Sequence, residues 1–279
     1  MRKPSTPIRL GHIAYSNCVP VHARLLGPEP PQGVEVVRGT PADLNRALAA
    51  GDVDVAPASS IEFARHPDHY RVLSGLSISS RGPVRTIVLA ARSPLRDLED
   101  VVVAVPTASA TSVVLLRALL EVRERVRPRY VWFRQDAEDP FAAGAAAALY
   151  IGDVAAAAGR LAHPHVYDLG SEWTQWTGLP FVFALWQTRL GPDRDEDLDA
   201  LRAMLVASRD AALARIDALA AEHAAALGWE AAELASYWRS LDYGLDASLL
   251  AGLDAFYRLA AETGEISHVP ELRFVPSRA

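Results

Sequence analysis

The chain has 279 residues, 50% hydrophobic and 22% charged, ordinary proportions for a globular protein long enough to fold as two lobes. The formal net charge of −6 and the lack of a long basic run argue against a nucleic-acid partner. With Cys18 as the single cysteine no internal disulfide forms, which fits a reducing compartment. No apolar run reaches the ~18 residues of a membrane-spanning helix. The first seven residues have no apolar core behind them, so the sequence predicts a cytoplasmic protein with neither secretory leader nor membrane contact.

In chain order, residues 8–13 and 34–37 read as strands. Thr40-Pro41-Ala42-Asp43 opens a helix, with Thr40 as N-cap, Pro41 in the first helical position and Asp43 at the positive end of the dipole. Gly51 is its stop, because glycine takes the left-handed turn freely. A buried strand covers 53–58. Strands follow at 86–90 and 101–105, then a helix over 109–125 and strands at 130–134 and 145–151. A short helix over 154–161 and strands at 166–169 and 181–187 close the alternation. From 195 onward the pattern is helical, over 195–226, 230–240 and 247–263. No internal repeat or low-complexity linker interrupts it.

Alternating strands and helices predict α/β architecture with largely parallel pairing. The expected division puts residues 1–88 and 188–279 in lobe 1, with the helical tail packed on it, and 89–187 in lobe 2. The strands 86–90 and 181–186 are then the two crossings. A ligand belongs in the crevice between the lobes, at the carboxyl ends of the strands.

Small polar groups gather at those strand ends. Pro106-Thr107-Ala108-Ser109-Ala110-Thr111-Ser112 follows a buried strand and opens a helix. Helix starts expose unpaired N–H groups, and Thr107, Ser109, Thr111 and Ser112 exceed what a cap needs, so the segment reads as a carboxylate cradle. Two readings stand for Asn17 after the first strand, a substrate-orienting amide or a turn-former. Ser60 and Ser80 are further strand-end hydroxyls. Gly152 and Asp153 close another strand, with Asp153 either a ligand acceptor or an N-cap. Cys18 has no histidine or aspartate placed by sequence to activate it and reads as a small buried residue. His163-Pro164-His165 cannot present helical metal spacing, so no metal site is predicted. No Gly-x-Gly-x-x-Gly or phosphate loop is present, and no cofactor is expected.

These segments resemble the MqnA family, the chorismate dehydratases of the futalosine route to menaquinone. The resemblance rests on Gly11-His12-Ile13, Asn17-Cys18-Val19-Pro20, Gly51-Asp52-Val53-Asp54-Val55-Ala56-Pro57 and Gly82-Pro83-Val84. It continues in Ser109-Ala110-Thr111-Ser112-Val113, Leu149-Tyr150-Ile151-Gly152-Asp153 and Trp176-Thr177-Gly178-Leu179-Pro180-Phe181-Val182-Phe183-Ala184. It implies a two-lobed fold like type II periplasmic binding proteins, turned into a cytoplasmic hydro-lyase whose substrate is chorismate. It also implies that Asn17 touches substrate. Relatives carry a substrate-binding serine after the Gly-Pro-Val segment, where this chain has Thr86. The catalytic residues implied are therefore Asn17 and Thr86; the strand-end and helix-start groups read above, Ser60, Ser80, Thr107, Ser109, Thr111, Ser112, Gly152 and Asp153, are the expected substrate ligands. Two rivals remain: a cytoplasmic small-carboxylate binding protein, and the related 1,4-dihydroxy-6-naphthoate synthase. The latter needs a cleft histidine, for which His12 is the nearest candidate.

Overall fold

The computed structural model of the protein describes residues 6–158, 163–191 and 194–277. Its strands are β1 (Ile8–Ile13), β2 (Val34–Gly39), β3 (Val55–Ser59), β4 (Tyr70–Ser80), β5 (Ile87–Ala91) and β6 (Val102–Pro106), followed by β7 (Arg129–Phe133), β8 (Ala147–Ile151), β9 (His165–Asp168), β10 (Phe181–Arg189) and β11 (Leu241–Asp242). They form a six-stranded sheet in the order β11-β4-β10-β3-β1-β2 and a five-stranded sheet in the order β7-β6-β8-β5-β9. Pairing is mixed rather than largely parallel. β1 runs parallel to β2 and β3, but β10 is antiparallel to β3. β6 runs parallel to β7 and β8, but β5 is antiparallel to β8 and β9.

The chain divides into two compact units. Unit 1 takes the described residues up to Ile78, Ala184–Leu245 and the described residues from Glu271; unit 2 takes Ser79–Phe183 and Asp246–Pro270. The division falls inside β4 and β10. The expected crossing at residues 86–90 is instead β5, paired on both sides within the five-stranded sheet. β4 escapes a sequence reading because Ser77, Ser79 and Ser80 look like loop residues, yet all three are buried.

Unit 1 is built on the first sheet. The helix Pro41–Ala50 carries the predicted cap: Asp43 N donates to Thr40 Oγ1 at 3.2 Å and Thr40 N donates to Asp43 Oδ2 at 3.1 Å. Gly51 ends it at φ 82°, a left-handed conformation that glycine takes without strain. Leu10, Leu44, Leu48 and Val55 fill the core. Arg24 N donates to Ser208 Oγ at 3.0 Å, joining the helix Val19–Leu26 to the helix Asp195–Ala214. The helix predicted over 195–226 breaks at Arg215, whose φ of −126° and ψ of 32° are not helical.

Unit 2 is built on the second sheet, with Val88, Ala90, Ala104, Phe133, Ala148 and Tyr150 among its packed core. The helix predicted over 109–125 is α-helical over Thr111–Arg117 and π-helical over Ala118–Glu124. The short helix after β8 spans Gly152–Ala158, and the expected end at Leu161 lies outside the described residues. The helix Ala247–Glu262 belongs to this unit, not to lobe 1 as expected. Its Phe256 ring meets Phe181 at 4.8 Å, and a Cβ at Gly252 would collide with the Pro180 carbonyl. That close approach gives the helix its seat.

Candidate functional site

In unit 1, Asn17 lies in the 3-10 turn Ser16–Cys18 that follows β1. Trp238 Nε1 fixes the turn by donating to the Ser16 carbonyl at 2.9 Å. Asn17 Oδ1 is buried and has no hydrogen-bond partner. A turn-forming asparagine spends that oxygen on nearby backbone; this one does not. An unpaired buried acceptor costs about 1–3 kcal/mol, and a donor brought by a ligand removes that cost. Ser60 opens the helix Ser60–Arg65 directly after β3 and is fully buried. The β3 tip is clamped from two sides. Ser59 N donates to Asn45 Oδ1 at 3.2 Å, and Gln187 Nε2 donates to the carbonyls of Ala58 at 3.2 Å and Ser59 at 2.9 Å. Gln187 Oε1 is a second buried acceptor with no partner.

A chain of buried rings supports the Asn17 turn. Trp186 Nε1 donates to His22 Nε2 at 3.1 Å, so that nitrogen carries no proton. Neutral His22 is therefore protonated on Nδ1, which donates to His12 Nδ1 at 3.0 Å. His12 must then be the Nε2–H tautomer. Burial, with repulsion from Arg38 and His223, lowers the His12 pKa to about 4, and burial with His12 as neighbour holds His22 well below its ordinary value. Both rings are neutral near pH 7. Cys18 Sγ lies 3.6 Å from His22 Nδ1, four residues on at helical spacing, which corrects the expectation that no histidine is placed beside it. The thiol is nevertheless no nucleophile, because burial pushes its pKa up to about 12 and it is fully enclosed.

His12, Cys18 and His22 bring one donor atom each within 4.8 Å of one another, a three-donor set with metal-like spacing. Its chemistry does not suit a metal. Ligation through His22 Nδ1 would move the proton to Nε2, where it would face the Trp186 N–H at 3.1 Å.

In unit 2 the carboxyl ends of β6, β7, β8 and β9 and the start of β5 share one sheet edge, as their registers require. Thr86 and Gly152 meet there: Gly152 N donates to the Thr86 carbonyl at 2.8 Å. Thr86 is buried, and its Oγ1 donates to the Val84 carbonyl within the loop at 3.4 Å. The preceding Arg85 is left-handed at φ 65°, a conformation that costs a non-glycine residue about 1 kcal/mol or more. The Asp168 carboxylate holds it there, accepting from Val84 N at 3.0 Å, Arg85 N at 2.5 Å and Ser171 N at 2.9 Å. Gln135 clamps the β8 tip through both amide atoms, each 3.0 Å from Ile151 backbone.

Thr107 is exposed on the turn after β6, with its N–H bonded to the Phe133 carbonyl at 3.1 Å, and Ser109 is half-buried beside it. Thr111 and Ser112 are buried in the first turn of the helix Thr111–Arg117. The N-cap there is Ala110, and no side chain caps the helix, so the hydroxyls are not consumed by capping. Asp153 sits in the first turn of the helix Gly152–Ala158. Ser80 differs from the rest. Its hydroxyl proton is committed to the Gly82 carbonyl at 2.9 Å, which gives it a loop-shaping role. Asn17 and Ser60 thus belong to unit 1, and the other predicted site residues to unit 2. Gln187, Gln135, Asp168 and His22 were not singled out by sequence, because amide clamps and a histidine paired ten residues away leave no local pattern.

No helix among the described residues is long and apolar enough to cross a membrane. The fold is that of the periplasmic-binding-protein class. The structure of protein AF1704 from Archaeoglobus fulgidus matches with a TM-score of 0.76 at 21% identity, covering 94% of this chain and 99% of that one. The periplasmic aliphatic sulphonate binding protein SsuA of Escherichia coli matches with a TM-score of 0.65 at 16% identity, covering 98% and 95%. Within that class, the profile of the menaquinone biosynthesis family matches residues 8–262, and the chain belongs to this family. A chorismate dehydratase of Thermus thermophilus is 32% identical over 267 residues, covering 90% of this chain and 94% of that protein.

Proposed function

We propose that this protein is a chorismate dehydratase, a hydro-lyase that removes water from chorismate to give 3-[(1-carboxyvinyl)oxy]benzoate. The family membership and the chorismate dehydratase relative support the reaction. The observation that carries the site is the buried, unpartnered Oδ1 of Asn17.

The chemistry asks little of a protein base. The C–H bond at the ether-bearing ring carbon breaks, its electron pair enters the ring, and the neighbouring carbon releases its hydroxyl. Aromatisation supplies the driving force, with no redox change. The substrate's own enolpyruvyl carboxylate takes the proton and passes it to the departing hydroxide, giving water. Asn17 Oδ1 accepts from the ring hydroxyl and its Nδ2 donates to a substrate carboxylate, which fixes the leaving geometry. Thr86 supplies a second hydroxyl from beside the strained Arg85. The hydroxyls of Thr107, Ser109, Thr111 and Ser112 are donors of the kind that a carboxylate accepts from. The buried His12, locked on His22, does not suit the exposed base that the naphthoate synthase reading needs.

The test is incubation of the purified protein with chorismate, followed by ultraviolet absorbance for a benzoate and by mass spectrometry for loss of one water. Asn17→Ala is expected to lower kcat by about 100-fold or more, as loss of one catalytic hydrogen-bonding group does, with a thermal midpoint that does not fall, because the unpaired buried acceptor is removed with it. Thr86→Ser is expected to keep the activity that Thr86→Val loses. Chorismate bound but unconverted would leave a binding protein; a wild-type rate in Asn17→Ala would remove Asn17 from the mechanism.

A further inference from the structure

The amino ends of the unit 1 strands carry a second polar site. Arg9 is the second residue of β1, Asp54 precedes β3, Arg71 is the second residue of β4 and Arg189 ends the antiparallel β10. These residues, with Arg194, line a cavity of about 360 Å³ within unit 1. A strand spans roughly 15 Å, and Asn17 and Ser60 stand at the opposite end of β1 and β3. The cavity is therefore separate from the candidate substrate site.

Among the described residues, four guanidinium groups face one lining carboxylate. Arg9 pairs with that carboxylate, Asp54, at 2.8 Å, and its Nη2 also donates to the Gly51 carbonyl at 2.6 Å. Arg71 pairs with Asp195 at 2.7 Å and Arg194 with Asp197 at 3.3 Å, and neither of these aspartates lines the cavity. Among the described residues, the Arg189 guanidinium has no carboxylate partner. It packs against Gly51, where a Cβ would collide with its Nη1, and so converges with Arg9 on the same peptide. Arg71 Nε is a buried donor with no hydrogen-bond partner. One cation with no carboxylate partner among the described residues, one buried donor without an acceptor and the remaining fork hydrogens of Arg9 and Arg194 share one small space. Planar guanidinium forks of this kind match the oxygens of phosphates and carboxylates.

We propose that this cavity binds a small dianion through its oxygen atoms, either a phosphate or a short dicarboxylate, at a site distinct from that of the substrate. Arg189 supplies a cation that no described carboxylate pairs with, and Arg71 Nε the buried donor. The bound anion braces the amino ends of β1, β3 and β4 and the carboxyl end of β10.

The test is titration of the full chain with sodium phosphate and, separately, sodium malonate, by calorimetry and thermal denaturation, against sodium chloride at matched ionic strength. The expected result is saturable binding and a rise in thermal midpoint with at least one dianion and not with chloride. Arg189→Gln, an exposed change that leaves every described ion pair in place, is expected to weaken that binding roughly tenfold or more, the loss of one charge-assisted contact. Asn17→Ala is expected to leave it unchanged. Equal affinity in Arg189→Gln, or loss of binding only in Asn17→Ala, would assign the anion to the substrate site and overturn the proposal. So would a response to chloride equal to that with both dianions. Preference for phosphate or malonate identifies the ligand class.

Discussion

The strand edges of the two units are held by opposite means. Around Asn17 the support is a set of neutral, buried rings: Trp186 donates to His22, His22 to His12, and Trp238 to the Ser16 carbonyl. Around Thr86 it is side-chain oxygen on backbone: Asp168 gathers three N–H groups and Gln135 brackets Ile151. The first arrangement works only while the imidazoles stay uncharged. The second holds a left-handed arginine in place with a carboxylate that backbone donors surround. A single protonation thus disrupts one edge, and a single truncation the other.

The largest effect is expected in unit 2. Asp168→Ala strands three N–H groups and releases the strained Arg85 loop, and should cost about 3 kcal/mol in chemical denaturation; a loss below about 1 kcal/mol would mean that the loop holds itself. Next comes the acid response of unit 1. His12 titrates near 4 when folded against about 6.5 when unfolded, so between those values only the unfolded chain takes the proton. Its contribution is complete above pH 6.5 and falls away as the pH drops towards 4, by about 3 kcal/mol. His12→Asn, which keeps an acceptor near the Nδ1 position, should flatten the stability profile over that window by the same amount. Parallel profiles for the two proteins would show that His12 does not titrate as the ring chain requires. The smallest effect is Trp186→Phe, which preserves most of the packing but leaves His22 Nε2 unpaired, at about 2 kcal/mol. It should also loosen the link between donor and tautomer, and nitrogen NMR of His22 should then show a mixture of Nδ1–H and Nε2–H forms.

Much of the fold was legible where local chemistry and packing agree. Thr40, Pro41, Asp43 and Gly51 marked both ends of a helix, and the alternation of apolar runs gave the α/β class. The family resemblance rested on segments that the family match covers. β4 was missed because serines inside a strand look like loop until their burial is known. The helix Ala247–Glu262 was placed with the wrong half because amphipathic spacing says that a face is buried and not against what. Thr107 to Ser112 were visible as a hydroxyl cluster, but that Ala110 holds the cap position is a backbone fact. The ring chain needs residues 12, 22 and 186 together, and no window along the sequence contains all three.

The interleaving of the units bears on biosynthesis. The second core waits for Phe256, and Val72 in the first pairs with the backbone around Phe274, accepting from Val275 N at 2.9 Å and donating to the Arg273 carbonyl at 2.8 Å. Each unit therefore draws on chain segments that lie beyond part of the other, in contrast to proteins whose amino-terminal domain is complete before the next begins. Premature release anywhere before the final helix leaves both halves open, a burden that falls on chaperones rather than on the mature protein.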